Sequence, residues 1–177
     1  MGKIFHWFYC LPIADAVMVI FLGSAVFFLL RAKFRHMIWW KGAVGLLCFA
    51  WIAVILYGTL GQRAEGGSFS QPILTPFASY HGAFYGGQKE LYRANFMNTV
   101  LFYPAGLLGG ELLPGRWHWL FKALSVTLLL MLASTGIEYS QYCFGLGLAE
   151  VDDIIHNGLG AFLGAMAVSA AAKLHKK

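Results

Sequence analysis

The sequence predicts an all-α membrane protein of about five transmembrane helices, with a long outer loop folding back over the bundle. Three observations predict it. Of 177 residues, 59% are hydrophobic and 12% are charged, whereas soluble domains carry roughly 25% charged residues. The mean hydropathy is positive. The apolar residues also fall into several runs of about 20, the length a helix needs to cross ~30 Å of hydrocarbon. A single membrane domain, residues 1–177, accommodates the whole chain.

Five spans follow in order: 11–30, 41–61, 94–113, 119–144 and 153–172. Lys3 precedes the first, as in a secretory signal, but twenty apolar residues without a small-x-small cleavage site read as a retained anchor. Asn95 and Asn98 open the third span and Pro104 interrupts it. That proline frees the carbonyl of Val100 and predicts a kink next to Asn98. Gly160 with Gly164, Ala161 with Ala165, and Gly106 with Gly110 are small-xxx-small pairs, which let helix backbones approach closely.

Basic residues set the expected orientation. Arg31, Lys33, Arg35, Lys41, Arg116, Lys122, Lys173, Lys176 and Lys177 fall on one face; Lys3, Arg63, Lys89 and Arg93 fall on the other. This places the amino terminus outside and the carboxyl terminus in the cytoplasm. Trp39, Trp40, Trp117 and Trp119 fall where aromatic belts are expected. The net charge of +5 then follows from topology and anionic headgroups, with no nucleic-acid partner. Cys48 lies mid-span. Cys10 and Cys143 both map near the outer boundary, where a bridge is geometrically conceivable, but spacing does not determine one, and all three are read as free packing thiols.

The same topology gathers the polar residues. Ionisable groups in hydrocarbon are costly and mark functional candidates. Asn98 lies in the outer half of the third span, and Glu138 and Gln141 in the last turns of the fourth. Asp152, Asp153, His156 and Asn157 lie in the first turns of the fifth. Glu138 and Gln141 are three apart with Ser134 on the same side; Asp153, His156 and Asn157 are spaced i, i+3, i+4. The connecting hairpin has about eight residues, so the two helices are antiparallel neighbours whose polar stripes are expected to face each other.

Each residue has a plainer reading as well. Asp152 and Asp153 suit the positive amino-terminal end of their helix, and capping is the expected role of Asp152. Glu138 has no such explanation, because it precedes a helix carboxyl terminus. His156 reads as a proton carrier, a ligand or an interfacial ring. Asn98, Gln141 and Asn157 read equally as ligand contacts or interhelical hydrogen-bond partners. The loop 62–93 is glycine-rich but carries Phe69, Phe77, Tyr80, Phe84, Tyr85 and Tyr92. Such rings suit a lip over the bundle or a segment in the headgroup layer, with a short helix around 87–93. Arg93 is a candidate partner for Glu138, Asp153 or Asp15, or for a phosphate oxygen.

In order and spacing, "LTPFASY", "NFMNTVLFYPAGLL", "STGIEYSQ" and "GLGLAEVDDIIHNGLGAFLG" resemble the VanZ-like family of bacterial membrane proteins, over residues 74–164. By resemblance the family positions are Pro76, Phe77, Asn98, Phe102, Pro104, Gly106, Glu138, Gln141, Asp153, Asn157, Gly160 and Gly164. One departure stands out: where the family usually has an arginine after a glycine in the hairpin, Gly145 is followed here by Leu146. The resemblance implies a bacterial inner-membrane location and an association with glycopeptide, especially teicoplanin, tolerance, but assigns no reaction.

Two functions are expected to compete. The first is an outward pocket of Arg93, Asn98, Glu138, Gln141, Asp152, Asp153, His156 and Asn157 that binds a membrane-lipid headgroup, a lipid-linked envelope precursor or a lipoglycopeptide. The alternative is an enzyme acting on a lipid-linked headgroup, with Glu138 or His156 as acid–base groups and Asp153 helping to hold a divalent cation. No nucleophile motif, zinc site or nucleotide loop is present, so no cofactor or resident metal is implied. A proton or ion path is a third reading; it lacks the paired repeats and midplane polar groups of transporters.

Overall fold

The computed structural model describes residues 11–61, 71–87 and 90–174. Among them the chain forms six helices: α1 (Ile13–Phe34), α2 (Trp40–Thr59), α3 (Ala78–Tyr85), α4 (Glu90–Leu112), α5 (Trp119–Phe144) and α6 (Val151–Leu174). Four of them, α1, α2, α5 and α6, are long and apolar enough to cross a membrane. Their exposed faces are large and aliphatic, with Val17, Phe21 and Leu29 on α1, Leu46 and Phe49 on α2, and Leu128, Leu129 and Leu132 on α5. Surfaces of that kind are stable against lipid tails and not against water.

The fifth long helix, α4, takes the place of the third expected span but begins earlier, at Glu90, and is the most polar of the set. It packs against all five other helices. A helix surrounded by protein presents its surface to side chains, so Asn95, Asn98 and Glu111 are buried on it without meeting lipid. Its proline does not end it: α4 runs through Pro104 to Leu112. Close by, the Trp51 indole donates to the carbonyl of Leu101 at 2.9 Å.

The α4–α6 crossing is the tightest in the molecule, and all three small-residue pairs lie on it. A Cβ on Gly160 would lie 2.1 Å from the carbonyl oxygen of Thr99, and one on Gly164 2.0 Å from that of Tyr103. From the other side, a Cβ on Gly106 would lie 2.1 Å from the carbonyl oxygen of Ala161. Ala161 and Ala165 are fully buried between them. Next to this seam the core is built from Ile55, Leu101, Phe102, Ala105, Val126 and Ile137.

Because the long helices alternate in direction, their ends collect into two groups. Residues near Leu11, Thr59, 71–87, 90–98 and 138–157 form one end, called here the hairpin end after the α5–α6 connection; contacts Arg93–Leu11, Gln141–Thr59 and Ser79–Asp152 join them. Residues 31–41 and 111–122 form the opposite, basic end, joined by the Arg31–Glu111 ion pair.

The described part of the loop folds back over the hairpin end with a short helix of its own, α3, Ala78–Tyr85, while Glu90–Arg93 of the expected helix around 87–93 forms the start of α4. Gly86 closes α3 and Gly87, at φ 68°, turns the chain, a conformation that glycine adopts without Cβ strain. Ahead of α3, Ile73 pairs with the hairpin as an isolated parallel bridge: its N–H donates to Ala149 O at 2.9 Å and its carbonyl accepts from Val151 N at 3.0 Å. Trp40 also departs from expectation. It is buried, while Trp39 and Trp117 are exposed as belt residues would be. Cys48 and Cys143 are free thiols; Cys10, and with it the question of a bridge to Cys143, lies outside the described residues.

Candidate functional site

The polar residues of α6 divide into two stripes, because residues four apart share a helix face more closely than residues three apart. Asp152 and His156 turn towards α3. Asp153 and Asn157 occupy the adjoining face.

Asp152 is a cap, though not of its own helix. Its carboxylate, 2% exposed, accepts hydrogen bonds from the N–H of Phe77, the N–H of Ser79 at 2.9 Å and the Ser79 hydroxyl. These are the orphan donors at the start of α3. Phe77 holds a left-handed conformation, φ 62°, which is uncommon for an aromatic residue and persists where surrounding contacts over-determine it. Asn95 Nδ2 on α4 donates to the Ser79 hydroxyl at 2.8 Å. One buried carboxylate thus ties the loop helix to α6, and through Ser79 to α4.

His156 completes this lock. Its Nδ1 lies 2.6 Å from the carbonyl of Asp152, and its Nε2 lies 2.8 Å from the Tyr80 hydroxyl. A carbonyl can only accept, so Nδ1 carries a proton, and in the neutral ring Nε2 receives the Tyr80 hydroxyl proton. The two rings also stack, with centroids 5.6 Å apart. Both ring nitrogens are therefore engaged in positioning α3.

The α5 wall packs against α6. Asn157 Nδ2 donates to the Ser134 hydroxyl at 2.8 Å. Glu138, 6% exposed, accepts from the backbone N–H of Glu150 at 3.0 Å and so holds the hairpin. Gln141 reaches the other way, donating to Thr59 O on α2 at 3.2 Å. Asn98 is buried on α4. Arg93 donates to a main-chain carbonyl, that of Leu11, and the guanidinium ties the start of α1 to α4.

Among the described residues, two clefts lie on either side of the amino-terminal turn of α6. One, about 250 Å³, is lined by Glu138 and Glu150 together with Leu74, Tyr139, Tyr142 and Ile154. The other, about 310 Å³, is lined by Asn95, Glu150 and Asp153 together with Leu91, Leu146 and Leu148. Glu150 borders both. Leu146 makes part of the second wall apolar, and among the described residues no basic side chain lines it. Exposed Phe77, Phe84 and Tyr85 from the loop helix flank this end. Among the described residues no three His, Cys, Asp or Glu side chains lie close enough together to hold a metal ion.

Sequence reasoning missed Ser79, Tyr80, Asn95 and Glu150 as members of the site. Glu150, beside the two aspartates, carried the same signal as they did. Ser79 and Tyr80 lie in the motif "LTPFASY", but nothing in the sequence pairs them with Asp152 and His156, more than seventy residues away.

This is a multi-span helical membrane protein with a loop helix locked onto one end of the bundle beside two carboxylate-lined clefts. The model of the VanZ/LLP1 family matches residues 42–172, which takes in every long helix but α1, and the chain belongs to that family. No curated protein and no solved structure matches it.

Proposed function

We propose that the hairpin end faces the cell exterior of a bacterial inner membrane and binds the polar headgroup of an envelope lipid or lipid-linked precursor, contributing to glycopeptide tolerance of the teicoplanin type. The observation that carries this reading is the pair of clefts meeting at Glu150, one with an apolar surface that includes Tyr139 and Tyr142, the other with a mixed surface bordered by Asn95 and Asp153. That pairing of polar and apolar walls suits an amphiphile, whose headgroup and chain need both. At about 250 and 310 Å³ each cleft is at or below the low end of ligand pockets, roughly 300–1,000 Å³. Such volumes suit a headgroup; a lipoglycopeptide would engage them through a sugar or amino substituent alone. The exterior placement rests on the distribution of Lys and Arg.

Binding has more support than turnover. Both His156 nitrogens are occupied by Asp152 O and Tyr80, and Glu138 accepts from the hairpin backbone, so each acid–base candidate has a positioning role. The test replaces Glu138 with Gln and Asp153 with Asn in cells carrying matched amounts of membrane protein. Reduced teicoplanin tolerance, with loss of co-purifying envelope lipid, is expected. Unchanged tolerance and an unchanged lipid profile in both variants would refute the reading, and consumption of a defined lipid by the wild type would replace it with the enzymatic one.

A further inference from the structure

The basic end holds a second buried polar cluster, on segments 31–41 and 111–122. Glu111 is the one acidic residue in these two segments, against Arg31, Lys33, Arg35, Lys41, Arg116 and Lys122. Each oxygen of its carboxylate has a partner: Oε2 accepts from Arg31 Nε at 2.7 Å and Oε1 accepts from the Trp40 indole at 3.0 Å. Lys41 donates to the main-chain carbonyl of Glu111. Lys122 is 5% exposed, close enough to feel the charges of Glu111, Lys41 and Arg31, and makes no hydrogen bond among the described residues. Three cations thus surround one carboxylate.

That imbalance calls for an anion. Cations held in apolar surroundings are costly unless paired, and here Lys41 and Lys122 lie in the first turns of α2 and α5, where the helix dipole adds positive potential. Exposed Trp39 and Trp117 border the cluster and mark the depth of the headgroup layer. Lys41 is exposed, so the cluster opens to that layer. We propose that this is a phosphate-binding site, occupied in the bilayer by the phosphodiester of an anionic phospholipid, with Lys41 and Lys122 supplying the charge. The assignment is independent of which compartment this end faces and of the proposed role of the hairpin end.

The experiment uses the full chain in nanodiscs of phosphatidylcholine, with and without phosphatidylglycerol, and counts retained lipid by native mass spectrometry alongside thermal unfolding. The wild type is expected to retain phosphatidylglycerol selectively and to unfold at higher temperature with it. Lys122→Gln should weaken that preference about fivefold, the worth of roughly one base near a membrane surface; Lys122→Arg should keep it, and the exposed Lys33→Gln should change it less than twofold. If Lys122→Gln does not fold, Lys41→Gln serves in its place. No lipid preference in the wild type, or an undiminished preference in the glutamine variant, overturns the proposal. Inorganic phosphate giving the same stabilisation in pure phosphatidylcholine would overturn the lipid assignment and make the ligand a soluble phosphate.

Discussion

Adding one methyl group to α6 at Gly164 should loosen the whole bundle. In Gly164→Ala the new Cβ would lie 2.0 Å from Tyr103 O and 2.6 Å from Leu107 N. Both are backbone atoms of α4, so no side chain can swing aside. Reaching ordinary contact at 3.4 Å requires about 1.4 Å of separation, the difference between 3.4 and 2.0, if the helices move straight apart. A gap of 0.5–1 Å already forfeits a quarter to a half of each dispersion contact across an interface, and overpacking costs ~1–3 kcal/mol or somewhat more. Taking ~3 kcal/mol, and 2–4 °C per kcal/mol for a chain of this size, the unfolding midpoint should fall by roughly 6–12 °C. The assay is thermal unfolding of the purified full chain in neutral detergent, with Gly23→Ala as the internal reference. Gly23 lies on α1, where a Cβ meets nothing within 4 Å, and alanine there should be neutral or stabilising by up to ~1 kcal/mol. Gly158→Ala, which meets the flexible Met131 side chain, should fall between them. Equal midpoints for the Gly164 and Gly23 variants would refute the claim that backbone contact between α4 and α6 holds the fold.

Asp152→Asn keeps the size of the cap but removes the charge from a carboxylate with three donors, and should cost about 1–3 kcal/mol. The loss should be local, seen as faster proteolytic cleavage within residues 71–87 while the long helices keep their helical circular dichroism; unaltered cleavage would show that the loop helix is held by other contacts. The exterior placement of the hairpin end can be read in intact cells from cysteines introduced singly into a cysteine-free background. Leu148→Cys, in the α5–α6 connection, should react with a membrane-impermeant maleimide, and Gly115→Cys, between α4 and α5, should react after the cells are opened. The reverse pattern would invert the topology.

The sequence alone determined that this chain lives in a membrane, because composition and run length are properties of the residues and need no neighbours. It also determined the pairing of α5 with α6, since the short connection, residues 145–150, leaves those helices nowhere else to go. The small-xxx-small pairs announced a close crossing, but not that all three pairs lie on one seam. What only the tertiary structure decided is which partner each polar group takes. The least apolar long helix is central because protein, unlike lipid, can meet Asn95, Asn98 and Glu111. Asp152 caps a helix more than sixty residues earlier in the chain, and His156 is stacked on Tyr80, because the loop returns to the hairpin end. Helical periodicity predicts the face a residue shares with its neighbours in sequence; it carries no information about a loop that arrives from elsewhere. For the same reason the sequence did not show that Gln141 reaches α2 or that Arg93 reaches the start of α1. Hydrogen bonds in a low-dielectric interior go to the nearest unsatisfied partner, and in this bundle folding, not the order of residues along the chain, sets which partner is nearest.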